Sequence, residues 1–149
     1  MNRAPQELRT YFVTTVTAQR RRFFQVEDKA RLFLDVLQSQ REKGRMQIHA
    51  FVVMPDHVHL LLTPAEDVSL EKSMQFIKGG YSFRLKSKLD VWERSFNEVQ
   101  ILFPDKFAAC RIYVEQNPVR EGLVMAAEDF PYGSAAHLDM VDPTPSHLR

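Results

Sequence analysis

Two histidines, His57 and His59, stand one residue apart in the stretch FVVMPDHVHLLLTP, residues 51–64. A strand needed only for burial has no use for two imidazoles. Side chains alternate across a strand, so the two rings share one face and Val58 takes the other. Two imidazoles on one face can share a divalent cation, but two ligands do not complete a site. The alternative is one surface histidine and one hydrogen-bonded core histidine. Asp56, just before the pair, either orients a ring, as carboxylates behind metal-bound histidines do, or serves only the turn.

A second chemistry resides in tyrosine. A phenol can form a covalent bond to phosphorus when a metal polarises the target. A free tyrosine has a pKa of about 10, so it needs a metal or a base to react at neutral pH. The chain has Tyr11, Tyr81, Tyr113 and Tyr132. Tyr81 lies in FIKGGYSFR and Tyr113 in RIYVEQNPVREGLV. On a helix, Tyr113 and Asn117 share a face. If that face packs over the histidines, the Asn117 amide oxygen is available as a third ligand beside the phenol. Otherwise Tyr113 is a core aromatic of an amphipathic helix.

The elements that must position these groups follow from periodicity and breakers. YFVTTVT (11–17) is β-branched and aromatic and reads as a strand. VEDKARLFLDVLQSQREKG follows with Ala30, Phe33, Leu34 and Leu37 at helical spacing and Gly44 as a stop. MQIHAFVVM and VHLLLT flank the turn PDH and form a hairpin. SLEKSMQFIKGGYSFRLKSKL reads as a helix capped by Ser69. Its Gly79-Gly80 pair implies a close backbone approach or a kink. VWERSFNEVQIL is the fourth strand. DKFAACRIYVEQN is the third helix, which Pro118 should stop, because a residue before proline is pushed out of the helical region. From about Asp139 the composition predicts a loose tail. The order β-α-β-β-α-β plus a last helix gives an α+β, ferredoxin-like fold: an antiparallel sheet with helices on one face, followed by a C-terminal helix.

Composition sets the frame. With 149 residues, 44% of them hydrophobic and 26% charged, one domain over 1–149 is expected. The net charge of +1 does not by itself announce a nucleic-acid partner. A single cysteine, Cys110, excludes an internal disulfide and fits a reducing cytoplasm. The opening MNRAPQELRT lacks an apolar signal core, and no apolar run is long enough to span a bilayer, so no membrane partner is expected.

Taken in order and spacing, FVVMPDHVHLLLTP, VWERSF and YVEQNPVREGLV…EDFPYGSA resemble the REP-associated tyrosine transposases, single-domain relatives of insertion-sequence transposases in the HUH endonuclease superfamily. The resemblance runs from about Tyr11 to Ala136. It implies that His57 and His59 bind metal and that Tyr113 is the nucleophile. Asn117 matches the position where insertion-sequence relatives carry a glutamine ligand. It further implies a divalent cation, Mg²⁺ or Mn²⁺, and single-stranded or hairpin (REP-like) DNA as substrate. The expected reaction is DNA transposition, by cleavage and strand transfer through a 5′-phosphotyrosine with a free 3′-OH. A hard cation at a nitrogen-rich site needs phosphate oxygens and water to complete its shell. Relatives work as monomers or as homodimers.

The chain departs from the pattern W-Q-x-x-[FY]-x-[DE]-H-x-I-R that family members often show. Glu93 stands at the glutamine position, Val99 at the histidine position and Leu102 at the arginine position. ELRT replaces the Gly-Gly that many members have before the first strand. These changes bear on DNA contacts more than on chemistry. Expected backbone contacts are Arg20, Arg21, Arg22, Lys78, Arg84, Lys86 and Arg120, with Lys88 nearby. Trp92, Phe83 and Phe96 are either base-stacking platforms or core. The alternative function is a diverged, non-cleaving hairpin-binding protein. A metal-free phosphoesterase with two H-x-[ST] motifs is disfavoured, since the chain offers only HVH and HLL.

Overall fold

The computed structural model describes residues 8–88 and 90–149. The opening seven residues and Leu89, the last position of the expected second helix, lie outside them.

Strand β1, Thr10–Val16, consists wholly of β-branched and aromatic residues, which suit a pleated, half-buried surface. Helix α1 spans Glu27–Glu42. Strands β2, Met46–Val53, and β3, His57–Pro64, form the expected hairpin, closed by Met54 N–H donating to the His57 carbonyl (2.8 Å). Helix α2, Leu70–Leu85, is capped as expected by Ser69, whose Oγ accepts from the Lys72 amide. Strand β4 is Asn97–Ile101 and helix α3 is Pro104–Arg120. The sheet order is β2-β3-β1-β4, antiparallel throughout. This is the expected α+β, ferredoxin-like arrangement.

Alternation divides the sheet into two faces. Val13, Phe51, Val58, Leu60 and Leu62 pack under α1 and α2, against Phe33, Leu37, Met74, Ile77 and Tyr81. Ala50, Val52 and Leu61 face the other way and pack under α3, against Phe107 and Val114. Two helices therefore cover one face and α3 covers the other. By the same alternation His57 and His59, in step with Leu61, lie on the α3 face.

Several expectations need correction. The fourth strand is shorter than VWERSFNEVQIL: Trp92 makes only an isolated bridge to Thr17, and its ring packs 5.6 Å from both Phe24 and Phe33. The Gly79-Gly80 pair does not kink α2. A Cβ on Gly80 would meet Val36 and Gln40 of α1 at 3.5 Å, while one on Gly79 would meet nothing. Pro118 does not stop α3, which continues to Arg120. Glu121 N–H donates to the Asn117 carbonyl and Leu123 N–H to that of Pro118. The turn of the chain falls at Gly122, whose φ of +74° is inexpensive only for glycine.

The largest correction concerns the tail. Residues beyond Asp139 are docked along the outer edge of β2. The Asp142 carboxylate takes both the Ile48 amide (2.8 Å) and the Arg41 guanidinium (3.1 Å). Ser134 Oγ accepts from Phe51 N–H, and the Tyr132 carbonyl from Val53 N–H. Leu148 is buried in the core under α3. An edge strand carries unpaired amides, and here this C-terminal segment supplies their partners. Edge satisfaction, not local propensity, orders it. Among the described residues no helix is long and apolar enough to cross a membrane.

Candidate active site

The hairpin turn places His57 at the first residue of β3. The β1–β3 register sets Thr14 directly opposite His59. Each imidazole is held through Nδ1. That of His57 donates to Asp56 Oδ1 at 2.7 Å, which fixes the ring's orientation. That of His59 lies 2.9 Å from Thr14 Oγ1. The ring centroids are 4.8 Å apart, and both Nε2 atoms remain for another partner. Asp56 is thus more than a turn residue: it is the carboxylate behind a histidine, and Arg20 backs it at 3.4 Å.

Electrostatics keep His59 usable as a ligand. Burial, then the charges of His57 and Arg120, push His59 down to about 4, so it is neutral at pH 7. Burial alone would raise the Asp56 carboxyl. The hydrogen bond and charge of His57, with Arg20 behind, outweigh this and hold it below the usual carboxylate value.

Helix α3 docks over this strand. Tyr113 stands edge-on to His59 with centroids 5.9 Å apart, and edge-on to Phe12 at the same separation. Its ring is 46% exposed. The Arg120 guanidinium lies 4.1 Å over it, and Arg120 Nη2 donates to the Tyr113 carbonyl at 2.8 Å. Asn117, one turn on, is only 4% exposed, yet its Oδ1 has no hydrogen-bond partner. Leaving a buried acceptor unpaired costs about 1–3 kcal/mol, so such an atom calls for a ligand. Among the described residues no three His, Cys, Asp or Glu side chains come together to hold a metal. A metal on the histidine pair would need a ligand of another type, and the Asn117 oxygen, one turn along α3 from Tyr113, is the candidate. Two imidazoles and an amide oxygen would suit a divalent cation with open positions for phosphate and water.

The other candidate nucleophiles fall away. Tyr81 is fully buried, its Oη donates to the Lys29 carbonyl, and burial raises its pKa. Cys110 is pushed up to about 12 by burial.

The basic residues are dispersed. Arg20 and Arg120 flank the site. Arg21 donates to the Ala18 and Asp90 carbonyls and so braces two loops. Arg22 is exposed beside them. Lys78, Arg84 and Lys86 belong to α2 or its cap, on the opposite face of the sheet. Lys78 is half-buried and donates to the Glu93 carbonyl at 2.9 Å; burial lowers its pKa, against a smaller opposing effect of Glu93. Of the aromatics, Trp92 and Phe96 pack against the core, whereas Phe83 is exposed.

Thr14 and Phe12 escaped the sequence reading. Only the β1–β3 pairing reveals them: on an antiparallel ladder the residue opposite His59, and the one two before it, share the histidines' face.

Comparison with known proteins agrees with the motifs and the fold. A REP-associated tyrosine transposase of Escherichia coli K12 is 26% identical, over 88% of this chain and 78% of that protein. A Haemophilus influenzae protein assigned to the same group is also 26% identical, over 83% and 78%. The fold matches that of a REP-associated tyrosine transposase bound to a REP hairpin, with TM-score 0.75 and 22% identity, covering 100% of this chain and 93% of that one. The resemblance drawn from the histidine and tyrosine motifs is therefore borne out. The model of the family described as Transposase IS200 like matches residues 6–119, and this chain belongs to that family.

Proposed function

We propose that this protein cleaves and rejoins single-stranded or hairpin DNA through a covalent tyrosine intermediate, in a reducing cytoplasm where Cys110 stays a thiol. The observation that carries the reading is the half-exposed Tyr113 ring against His59, on a helix whose next turn presents the unpartnered Asn117 oxygen. The hairpin bound by the structural relative supports the choice of substrate.

Tyr113 Oη forms a bond to the scissile phosphorus as the P–O3′ bond breaks. The phenolic proton passes to solvent, and the 3′ oxygen leaves as a hydroxyl. The DNA 5′ end stays esterified to Tyr113. Attack by a 3′-OH on that ester forms a new phosphodiester and breaks the P–Oη bond; the hydroxyl proton passes to solvent, the tyrosine oxygen takes one up, and the exchange of esters needs no external energy source. His57, His59 and Asn117 would hold Mg²⁺ or Mn²⁺, which supplies Lewis-acid stabilisation of phosphate charge. Asp56 and Thr14 fix the two imidazoles, and Arg120 fixes the phenol ring so that it meets phosphate in line. Arg20, Arg22 and Arg120 supply the nearest backbone contacts, with Lys78, Arg84 and Lys86 reached only by DNA that wraps the other face.

The test is trapping. Labelled hairpin DNA with single-stranded arms is incubated with protein and Mn²⁺ and run on a denaturing gel. A covalent adduct absent from Tyr113→Phe is expected. An adduct that survives that substitution removes Tyr113 as nucleophile. Tight hairpin binding with no adduct under any condition replaces the reading with a non-cleaving binder.

A further inference from the structure

A groove of about 570 Å³ runs between β4 and α3, lined by Phe12, Val99, Leu102, Phe103, Cys110 and Tyr113 among others. Val99, Leu102 and Phe103 are each more than half exposed. Apolar surface left in water is costly, at roughly 25 cal/mol per Å², and a contiguous exposed patch of this kind marks a binding surface. We infer that this groove seats an unpaired DNA base adjoining the scissile phosphate; the inference rests on the reading of Tyr113 as nucleophile.

Three observations select that occupant. Tyr113 is a wall of the groove and also the ring against His59. A phosphate at its hydroxyl carries a base within one nucleotide, and that base must lie on one side of the ring or the other. The histidines are polar, whereas the floor beside Tyr113 is apolar and wide, and on such a floor a base of any sequence can stack. Charge agrees as well. Lys106 lies at the groove and Arg120 over Tyr113, so cations flank an apolar seat, as a nucleotide requires. Finally, a second copy of the chain seated here would cover the exposed face of Tyr113 and block the reaction. The substrate itself does not conflict with the nucleophile in this way.

Binding is read in the full chain carrying Tyr113→Phe, so that cleavage does not intervene. The probe is a DNA hairpin with oligothymidylate arms in which single thymines are replaced by 5-iodouracil. Irradiation is expected to crosslink one arm position to Phe12 or Phe103. Val99→Ser with Leu102→Ser, both at exposed positions, should abolish that crosslink and weaken binding about tenfold, with an unchanged thermal melt. Crosslinks confined to residues outside the groove, or unchanged affinity of the serine variant, overturn the inference. So does self-association of the parent chain that the serine variant abolishes, which assigns the groove to a second copy. A groove crosslink without any Mn²⁺-dependent adduct in the parent chain sinks the cleavage reading alone. An adduct without a groove crosslink sinks this one alone.

Discussion

The Tyr113 ring meets the His59 imidazole edge to face, with centroids 5.9 Å apart. The contact joins the last helix to a central strand. The Arg120 guanidinium lies 4.1 Å over the same Tyr113 ring. A cation over an exposed ring contributes on the order of 1 kcal/mol. Arg120→Gln should therefore slow single-turnover cleavage about fivefold with an unchanged melt, and Arg120→Lys should restore part of the loss. A salt dependence of DNA binding whose slope falls by about one in Arg120→Gln would show that the guanidinium also contacts phosphate.

Metal binding has a readout independent of cleavage. Anything that binds only the folded chain raises its melting temperature. Mn²⁺ should raise that of the parent protein and fail to do so in Asn117→Leu. Without metal the leucine variant should melt at or above the parent, because it removes an unpaired buried oxygen. A clear loss of stability without metal would mean that Asn117 already has a structural partner.

Acid should weaken the fold through His59. The folded chain takes up this proton at about 4, the unfolded chain at about 6.5. Between those values the unfolded state binds more protons, so stability falls as pH drops through that window, by about 3 kcal/mol at its acid end. Urea unfolding at neutral pH and near pH 5 should show the decline, and His59→Gln should flatten it. Some slope should remain, because burial depresses His49 in the same direction.

The docked tail gives a separate stability prediction. Asp142→Ala removes the partner of both Arg41 and the Ile48 amide, groups that are largely out of solvent. A loss of about 2 kcal/mol is expected, read by chemical denaturation. Proteolysis should then cut beyond residue 139 before the rest of the chain. A loss within a few tenths of a kcal/mol would show that Leu148 and the backbone and histidine contacts of the segment anchor it without the carboxylate.

Much of the site was legible because its signals are local. One-residue alternation put His57 and His59 on one face, and a four-residue helical step put Tyr113 and Asn117 on another. What joined the faces was not local, and motif resemblance supplied it before geometry did. Thr14 was illegible because its role depends on strand register. Pro118 was misread because the rule for the preceding residue competes with packing: Asn117, Pro118 and Val114 are all buried, and the helix runs on to Arg120 before the chain turns at Gly122. The tail was misread because its partners are the free amides of β2, which composition does not reveal.

The β4 edge has one more consequence. The C-terminal segment closes the β2 side of the sheet, but among the described residues no further strand follows β4, and the groove beside Tyr113 lies there. A polymer can therefore be laid in sideways, with both directions of the chain leaving freely. No end has to be threaded through. On the proposed reading, cleavage takes place at interior points of a long molecule, and the length of DNA on either side sets no limit on admission.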